Sequence, residues 1–226
     1  MLRKDNMLYW NTVSQNLKTA LLKLMEGQPL QDFRLVGGTA LSLYWGHRMS
    51  VDIDLFTDAA YRSIDFNSIE DFLKRSFHYV QGDFGANPAI GKSYLVGDTQ
   101  DSAIKLDIYY SMEPFYQLAN KIDGVRMATV KEILAMKIDV VQRLGRKKDF
   151  WDLHRGLQDY TIDEMISFHK QRHEWTHEEE LIKRNFKDFS LADNDFDPVC
   201  LDGKEWIYIK EDLEAAIEPP RRKRGR

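Results

Sequence analysis

Residues 37–57 read Gly-Gly-Thr-Ala-Leu-Ser-Leu-Tyr-Trp-Gly-His-Arg-Met-Ser-Val-Asp-Ile-Asp-Leu-Phe-Thr. The glycine pair leads into a short helix, Thr39 to Trp45, which Gly46 closes. A strand follows over Val51 to Phe56. Side chains alternate across a strand, so Asp52 and Asp54 share one face while Val51, Ile53 and Leu55 take the other. Two neighbouring carboxylates repel, and one would ordinarily stay protonated near neutral pH. A divalent metal removes that conflict. A helix N-terminus beside such a pair suits a nucleoside triphosphate, with backbone N–H groups on phosphate oxygens and the metal bridging to the carboxylates.

Asp107 extends the pattern. In Ile104-Lys105-Leu106-Asp107-Ile108-Tyr109 the acid shares a strand face with Lys105 and Tyr109, leaving Ile104, Leu106 and Ile108 for a core. A mid-strand acid needs a partner or solvent. Paired with the strand of Asp52 and Asp54, it would bring three carboxylates together for an in-line phosphoryl displacement. A solvated strand face is the bland alternative.

Outward from this segment, the chain of 226 residues is long enough for one domain, or one with an appendage, and for a sizeable core. Its 43% apolar and 12% aromatic content marks a folded globular protein. Cys200 is the lone cysteine, so no intrachain disulfide forms and a reducing cytoplasm is expected. No signal-peptide pattern opens the chain and no run approaches a membrane span. The net charge is −4, yet Arg221, Arg222, Lys223, Arg224 and Arg226 crowd the end, leaving about −9 on the remainder. So acidic a body binds nucleic acid only through a local basic patch or that tail.

The spacing predicts a helix over residues 7–26 and a short strand over Phe33 to Val36. Asn67 with Glu70 forms a capping-box pattern ahead of a helix to about Phe77. Strands are expected over His78–Gly82, Lys92–Val96 and Ala103–Tyr110. Thr129 with Glu132, Thr161 with Glu164 and Thr176 with Glu179 have the spacing of helix starts, and Lys204 to Ile209 reads as a strand or an irregular strap. The fold class is α+β. Residues 1–127 form the core with its N-terminal helix, 128–218 a helical region, and 219–226 a disordered basic tail.

Gly37-Gly38-Thr39, twelve intervening residues, then Asp52-Ile53-Asp54 resembles the signature of the DNA polymerase β-like nucleotidyltransferase superfamily. The fuller run through Gly-His-Arg-Met-Ser-Val-Asp-Ile-Asp-Leu-Phe resembles the AbiEii/AbiGii toxin family of bacterial nucleotidyltransferases. Glu132 to Lys137, Arg143, and Lys147-Lys148-Asp149-Phe150-Trp151-Asp152-Leu153 are similar to that family's second conserved block. The likeness covers about residues 15–160. It implies a small mixed sheet flanked by helices, then a helical part. It also implies an enzyme moving a nucleoside monophosphate from an NTP to an acceptor such as a tRNA 3′ end, within a toxin–antitoxin or phage-defence pair. By position, Gly37 and Gly38 would hold the triphosphate, with Thr39 supplying a hydroxyl. Asp52, Asp54 and Asp107 would bind two Mg²⁺, and Lys137 and Asp149 would match later conserved positions. A cognate antitoxin is the implied protein partner. A binding module without turnover, or a phosphotransferase acting on a protein, are the alternatives.

Several residues keep two readings. Lys137 reaches a phosphate as a point charge or is an ordinary helix lysine. Asp149 and Asp152 share a helix side, and capping accounts for them as well as function does. Arg48 neutralises the carboxylates, grips a phosphate, or forms a structural salt bridge, while His47 reads as a turn or packing residue. His169, His173 and His177 repeat every four residues, but without the glutamate of a metalloprotease motif they read as surface residues.

Overall fold

The computed structural model describes residues 7–85 and 88–218. The basic tail lies outside the described residues. The chain divides into two compact units, Met1–Ile133 and Leu134–Arg226.

The first unit is built on a seven-stranded mixed sheet. Its strands are β1 (Arg34–Leu35), β2 (Asp52–Thr57), β3 (Tyr79–Gly82), β4 (Gly91–Gly97), β5 (Ile104–Tyr110), β6 (Asn120–Ile122) and β7 (Val125–Met127). Their order is β3-β4-β5-β2-β1-β7-β6. β2 runs parallel to β5, and β1 parallel to β7. The three longer predicted strands beyond the glycine segment are therefore present, within one or two residues. The β6–β7 hairpin was not expected: Asp123 and Gly124 turn it with positive φ, and its strands are three residues each, too short to show alternation.

One sheet face is apolar. Ile53 and Leu55 on β2, Leu106 and Ile108 on β5, and Tyr94 and Val96 on β4 are all buried. Against this sheet pack α1 (Gln15–Glu26), through Leu17, Ala20, Leu21 and Leu24, and α3 (Phe66–Ser76), through Ile69 and Leu73. The first predicted helix is shorter than expected, because Ser14 accepts from the Leu17 N–H and restarts the chain after a 3₁₀ turn at Trp10–Thr12. α3 likewise takes Asp65, not Asn67, as its cap. Glu70 turns inward instead, accepting from Lys92 Nζ, the Gly85 N–H and Tyr94 Oη. Arg126 on β7 clamps three backbone carbonyls, of Phe33 at 3.1 Å, Met25 at 2.8 Å and Leu30 at 2.9 Å.

The second unit is helical. α4 (Val130–Gln142) continues into it, followed by α5 (Lys147–Gly156), α6 (Ile162–Arg172), α7 (Glu179–Asn185) and α8 (Trp206–Ile217). Phe150 is its centre, with ring centroids 5.0 Å from Phe189, 6.1 Å from Trp206 and 6.4 Å from Phe186. Thr161 and Glu164 form the expected capping box. α4 starts at the expected Thr129, whose hydroxyl accepts from the Glu132 N–H at 3.4 Å, although the Glu132 carboxylate accepts from the Tyr116 and Gln117 N–H groups instead of closing the box. One helix start differs: α7 begins after Glu178, not Thr176. The strand or strap expected over Lys204 to Ile209 instead runs from an extended N-cap at Glu205 into the first turn of α8, whose Ile209 and Leu213 are buried four apart.

Candidate active site

α2 (Gly37–Trp45) starts directly at the glycine pair and ends at Gly46 in the left-handed conformation. Its N-cap is Val36, which has no side-chain acceptor to offer, so the first-turn N–H groups lack a side-chain cap. Gly37 has φ +70°, and a Cβ there would lie 2.4 Å from Asp54 Oδ2. A Cβ on Gly38 would lie 2.4 Å from Arg48 Nη2. The glycines thus let the helix terminus approach both a carboxylate and a guanidinium, Gly37 by its conformational freedom and Gly38 by leaving room. Arg48 is buried and donates Nη1 to the Met49 carbonyl at 3.1 Å. Placing a cation at the positive end of a helix concentrates positive potential there, which favours an anion.

Thr39 is fully buried. Its hydroxyl bonds Ser50 Oγ at 2.7 Å and the Asp52 carbonyl, pinning α2 to the start of β2. His47 is buried, edge-on to Trp45 with ring centroids 5.7 Å apart, as a packing residue would be.

The carboxylates lie on the polar sheet face. In the parallel register Asp54 stands beside Asp107 and Asp52 beside Lys105. Further along, Phe56 and Tyr109 bring their rings within 6.0 Å. Asp107 gives one oxygen, Oδ2, to the Lys105 ammonium. Its other oxygen, Oδ1, is buried and has no hydrogen-bond partner. Lys105 is held above its ordinary pKa, first by the hydrogen bond to Asp107, against the pull of burial, then by the charges of Asp107, Asp52 and Asp54. One half-exposed ammonium therefore sits in the field of all three carboxylates. An unsatisfied buried carboxylate oxygen, clustered negative charge and all-oxygen donors fit a hard divalent cation such as Mg²⁺.

Lys137 and Asp149 lie in the second unit. Lys137 is buried, with Nζ 2.6 Å from Asp149 Oδ1 and 2.8 Å from Asp152 Oδ2. Asp149 also accepts from the Arg146 N–H at 3.1 Å, so its capping reading holds together with the ion pair. Burial pushes the Asp149 carboxyl up, but the charge and hydrogen bond of Lys137 outweigh it and hold the group below the usual range.

The histidine run corrects the expectation of a surface role. His169 is 0% exposed and His173 7%, and with Asp139 they offer donor atoms all within 4.8 Å of one another. Among the described residues this is the group of three found to meet that distance. The four-residue spacing was the only local signal, since Asp139 lies on another helix.

A glycine-led helix abutting an Asp-x-Asp strand, with a third acid on the adjoining parallel strand, is the framework of a nucleotidyltransferase. The fold agrees with solved structures. MenT4, a nucleotidyltransferase toxin from Mycobacterium tuberculosis H37Rv, is 14% identical, with 89% of this chain and 81% of that chain covered at a TM-score of 0.58. JHP933 from Helicobacter pylori is 18% identical, with 89% and 87% covered at 0.55. An uncharacterized protein of Aquifex aeolicus (strain VF5) is 28% identical over 205 residues, 87% of this chain and 86% of that one. The family described as nucleotidyl transferase AbiEii toxin, type IV toxin–antitoxin system, matches residues 19–222, and the chain belongs to it. Among the described residues, no helix is long and apolar enough to cross a membrane.

Proposed function

We propose that this nucleotidyltransferase is a cytoplasmic toxin that transfers a nucleoside monophosphate from an NTP to an RNA acceptor, with Mg²⁺ at Asp52, Asp54 and Asp107. The observation that carries it is the buried, unpartnered Oδ1 of Asp107 in register beside Asp54, against the glycine-led terminus of α2. Mg²⁺ bound there would neutralise the triphosphate and polarise the α-phosphorus toward attack. The uncapped N–H groups of α2 and the Arg48 guanidinium receive phosphate oxygens. As the acceptor hydroxyl attacks the α-phosphorus, the bond to the β-phosphate breaks and pyrophosphate leaves; an Asp107 oxygen not engaged by the ion would take the hydroxyl proton, and Lys105 steadies the carboxylates before substrate arrives. An acidic chain meets RNA with little nonspecific attraction, so the acceptor is a defined end rather than any strand. A cognate antitoxin is the expected protein partner.

The test is incubation of the full chain with α- or γ-labelled NTPs, Mg²⁺ and total RNA. Label from the α position should enter RNA, and Asp52→Asn or Asp54→Asn should reduce it on the order of a hundredfold or more. Transfer of γ label alone, or equal α transfer by the variants, refutes the reading.

A further inference from the structure

The second unit holds buried chemistry that the reading above does not use. Asp139 on α4, His169 on α6 and His173 at the end of α6 gather their donor atoms within 4.8 Å. The two imidazoles stack with centroids 4.7 Å apart, as side chains four apart on a helix can. His169 is the key residue. Its Nδ1 lies 2.7 Å from Nδ1 of His177, so one of those nitrogens must carry the shared proton. Its Nε2 is buried, lies 3.5 Å from Asp139 Oδ1 and makes no hydrogen bond. A His169 that donates from Nδ1 presents an Nε2 lone pair to a carboxylate oxygen. In that tautomer two electron-rich atoms face each other 3.5 Å apart, an arrangement that a cation between them satisfies.

We propose that Asp139, His169 Nε2 and His173 bind a divalent transition-metal ion of the Zn²⁺ type. Two imidazoles and one carboxylate form the three-ligand set of an open zinc site, and nitrogen ligands select such ions over Mg²⁺. Zinc–ligand bonds of about 2.0–2.1 Å set tetrahedral donors roughly 3.4 Å apart, so the ligands need close by little more than an ångström. The surroundings already orient them. Arg143 holds Asp139 Oδ2, leaving Oδ1 toward the histidines. With the ion on His169 Nε2, His177 would accept the His169 Nδ1 proton across their 2.7 Å contact, the outer partner a metal-bound imidazole commonly has. Gln142 anchors the loop carrying His177 by bonding the Thr176 carbonyl at 2.8 Å and the Glu178 N–H at 3.0 Å. The ion would tie α4, the end of α6 and this loop together as a structural clip.

The test uses the full chain stripped of metal by a chelator. Zn²⁺ is titrated against a chromophoric chelator, and Co²⁺ by its visible d–d bands. One tight equivalent of each should bind at the histidines, with cobalt bands typical of imidazole ligation, apart from any ion taken by the sheet carboxylates. His169→Gln and His173→Gln should weaken Zn²⁺ by at least about a hundredfold, and His177→Phe by roughly 10–100-fold. Asp52→Asn with Asp54→Asn should keep the histidine-bound equivalent of Zn²⁺ and Co²⁺ at wild-type affinity. The proposal is overturned if wild-type protein gives no imidazole-type cobalt spectrum, if the histidine variants bind Zn²⁺ normally, or if the sheet variant loses the ion. Should the histidine variants misfold by circular dichroism, the wild-type cobalt spectrum and the sheet variant decide.

Discussion

Replacing Lys137 by methionine removes one buried charge from a cluster of three. In the wild type its ammonium lies 2.6 Å from Asp149 and 2.8 Å from Asp152, whose side chains are 2% and 0% exposed. Without it, Asp149 keeps only the Arg146 N–H at 3.1 Å and an exposed guanidinium at 3.7 Å. Removing one partner of a buried ion pair costs about 3–5 kcal/mol, because the other charge stays buried. The deficit should depend on pH with a definite sign. Wild-type Asp149 titrates below the ordinary carboxyl range, so its contribution is complete above about pH 4 and fades as pH falls through its depressed value. In Lys137→Met, burial and the Asp152 charge raise the carboxyl instead. That variant then gains stability relative to wild type as pH drops from 7 toward about 4. Urea unfolding followed by tryptophan fluorescence, at pH 7 and pH 5, measures both effects. Adding Asp149→Asn should recover part of the loss at pH 7, since an amide is cheaper to bury than an unpaired carboxylate. A loss under about 1 kcal/mol at pH 7, or a deficit that widens toward pH 5, refutes this account of the cluster.

Gly37→Ala should cost roughly 1–2 kcal/mol for the left-handed backbone alone. The new Cβ, 2.4 Å from Asp54 Oδ2, should also displace that carboxylate and abolish label transfer; wild-type activity in this variant would show that the close approach is dispensable. Arg126→Lys should destabilise by about 2–4 kcal/mol, because a point ammonium cannot serve the three carbonyls that the guanidinium fork reaches. Unfolding of that variant within experimental error of wild type would remove Arg126 as the clamp on this part of the sheet.

The polar sheet face was legible because its determinants are local. Alternation alone put Asp52 with Asp54, and Asp107 with Lys105, on shared faces, and glycines announced the close approach at α2. What alternation could not show is that Lys105 feels all three carboxylates, since that depends on the parallel register of β2 and β5. Thr39 marks another limit. Its hydroxyl fits a phosphate contact on paper, yet burial commits it to Ser50 and the Asp52 carbonyl. The β6–β7 hairpin escaped because each strand is three residues long. The capping pairs at Asn67 and Thr176 misled because a nearby residue, Asp65 or Glu178, stands at the helix start instead.

The harder cases share one cause. Lys137 looks like any helix lysine and His169 like any exposed histidine, because the residues that redefine them are 12 and 30 positions away on other helices. Residue type fixes what a side chain can do, but burial fixes what it must do. A lysine in water needs nothing, whereas the buried Lys137 requires the two aspartates that surround it. The same demand falls on His169, whose inward nitrogen makes no hydrogen bond to the carboxylate it faces. Asp149 has its ammonium within the fold. Arg143 engages the far oxygen of Asp139, while the near oxygen lies 3.5 Å from His169 Nε2, where the proposed ion would sit. Whether buried donors close on a charge of the chain, as Asp149 does on Lys137, or invite an ion, as proposed for Asp139 and His169, can be read only once the helices are packed.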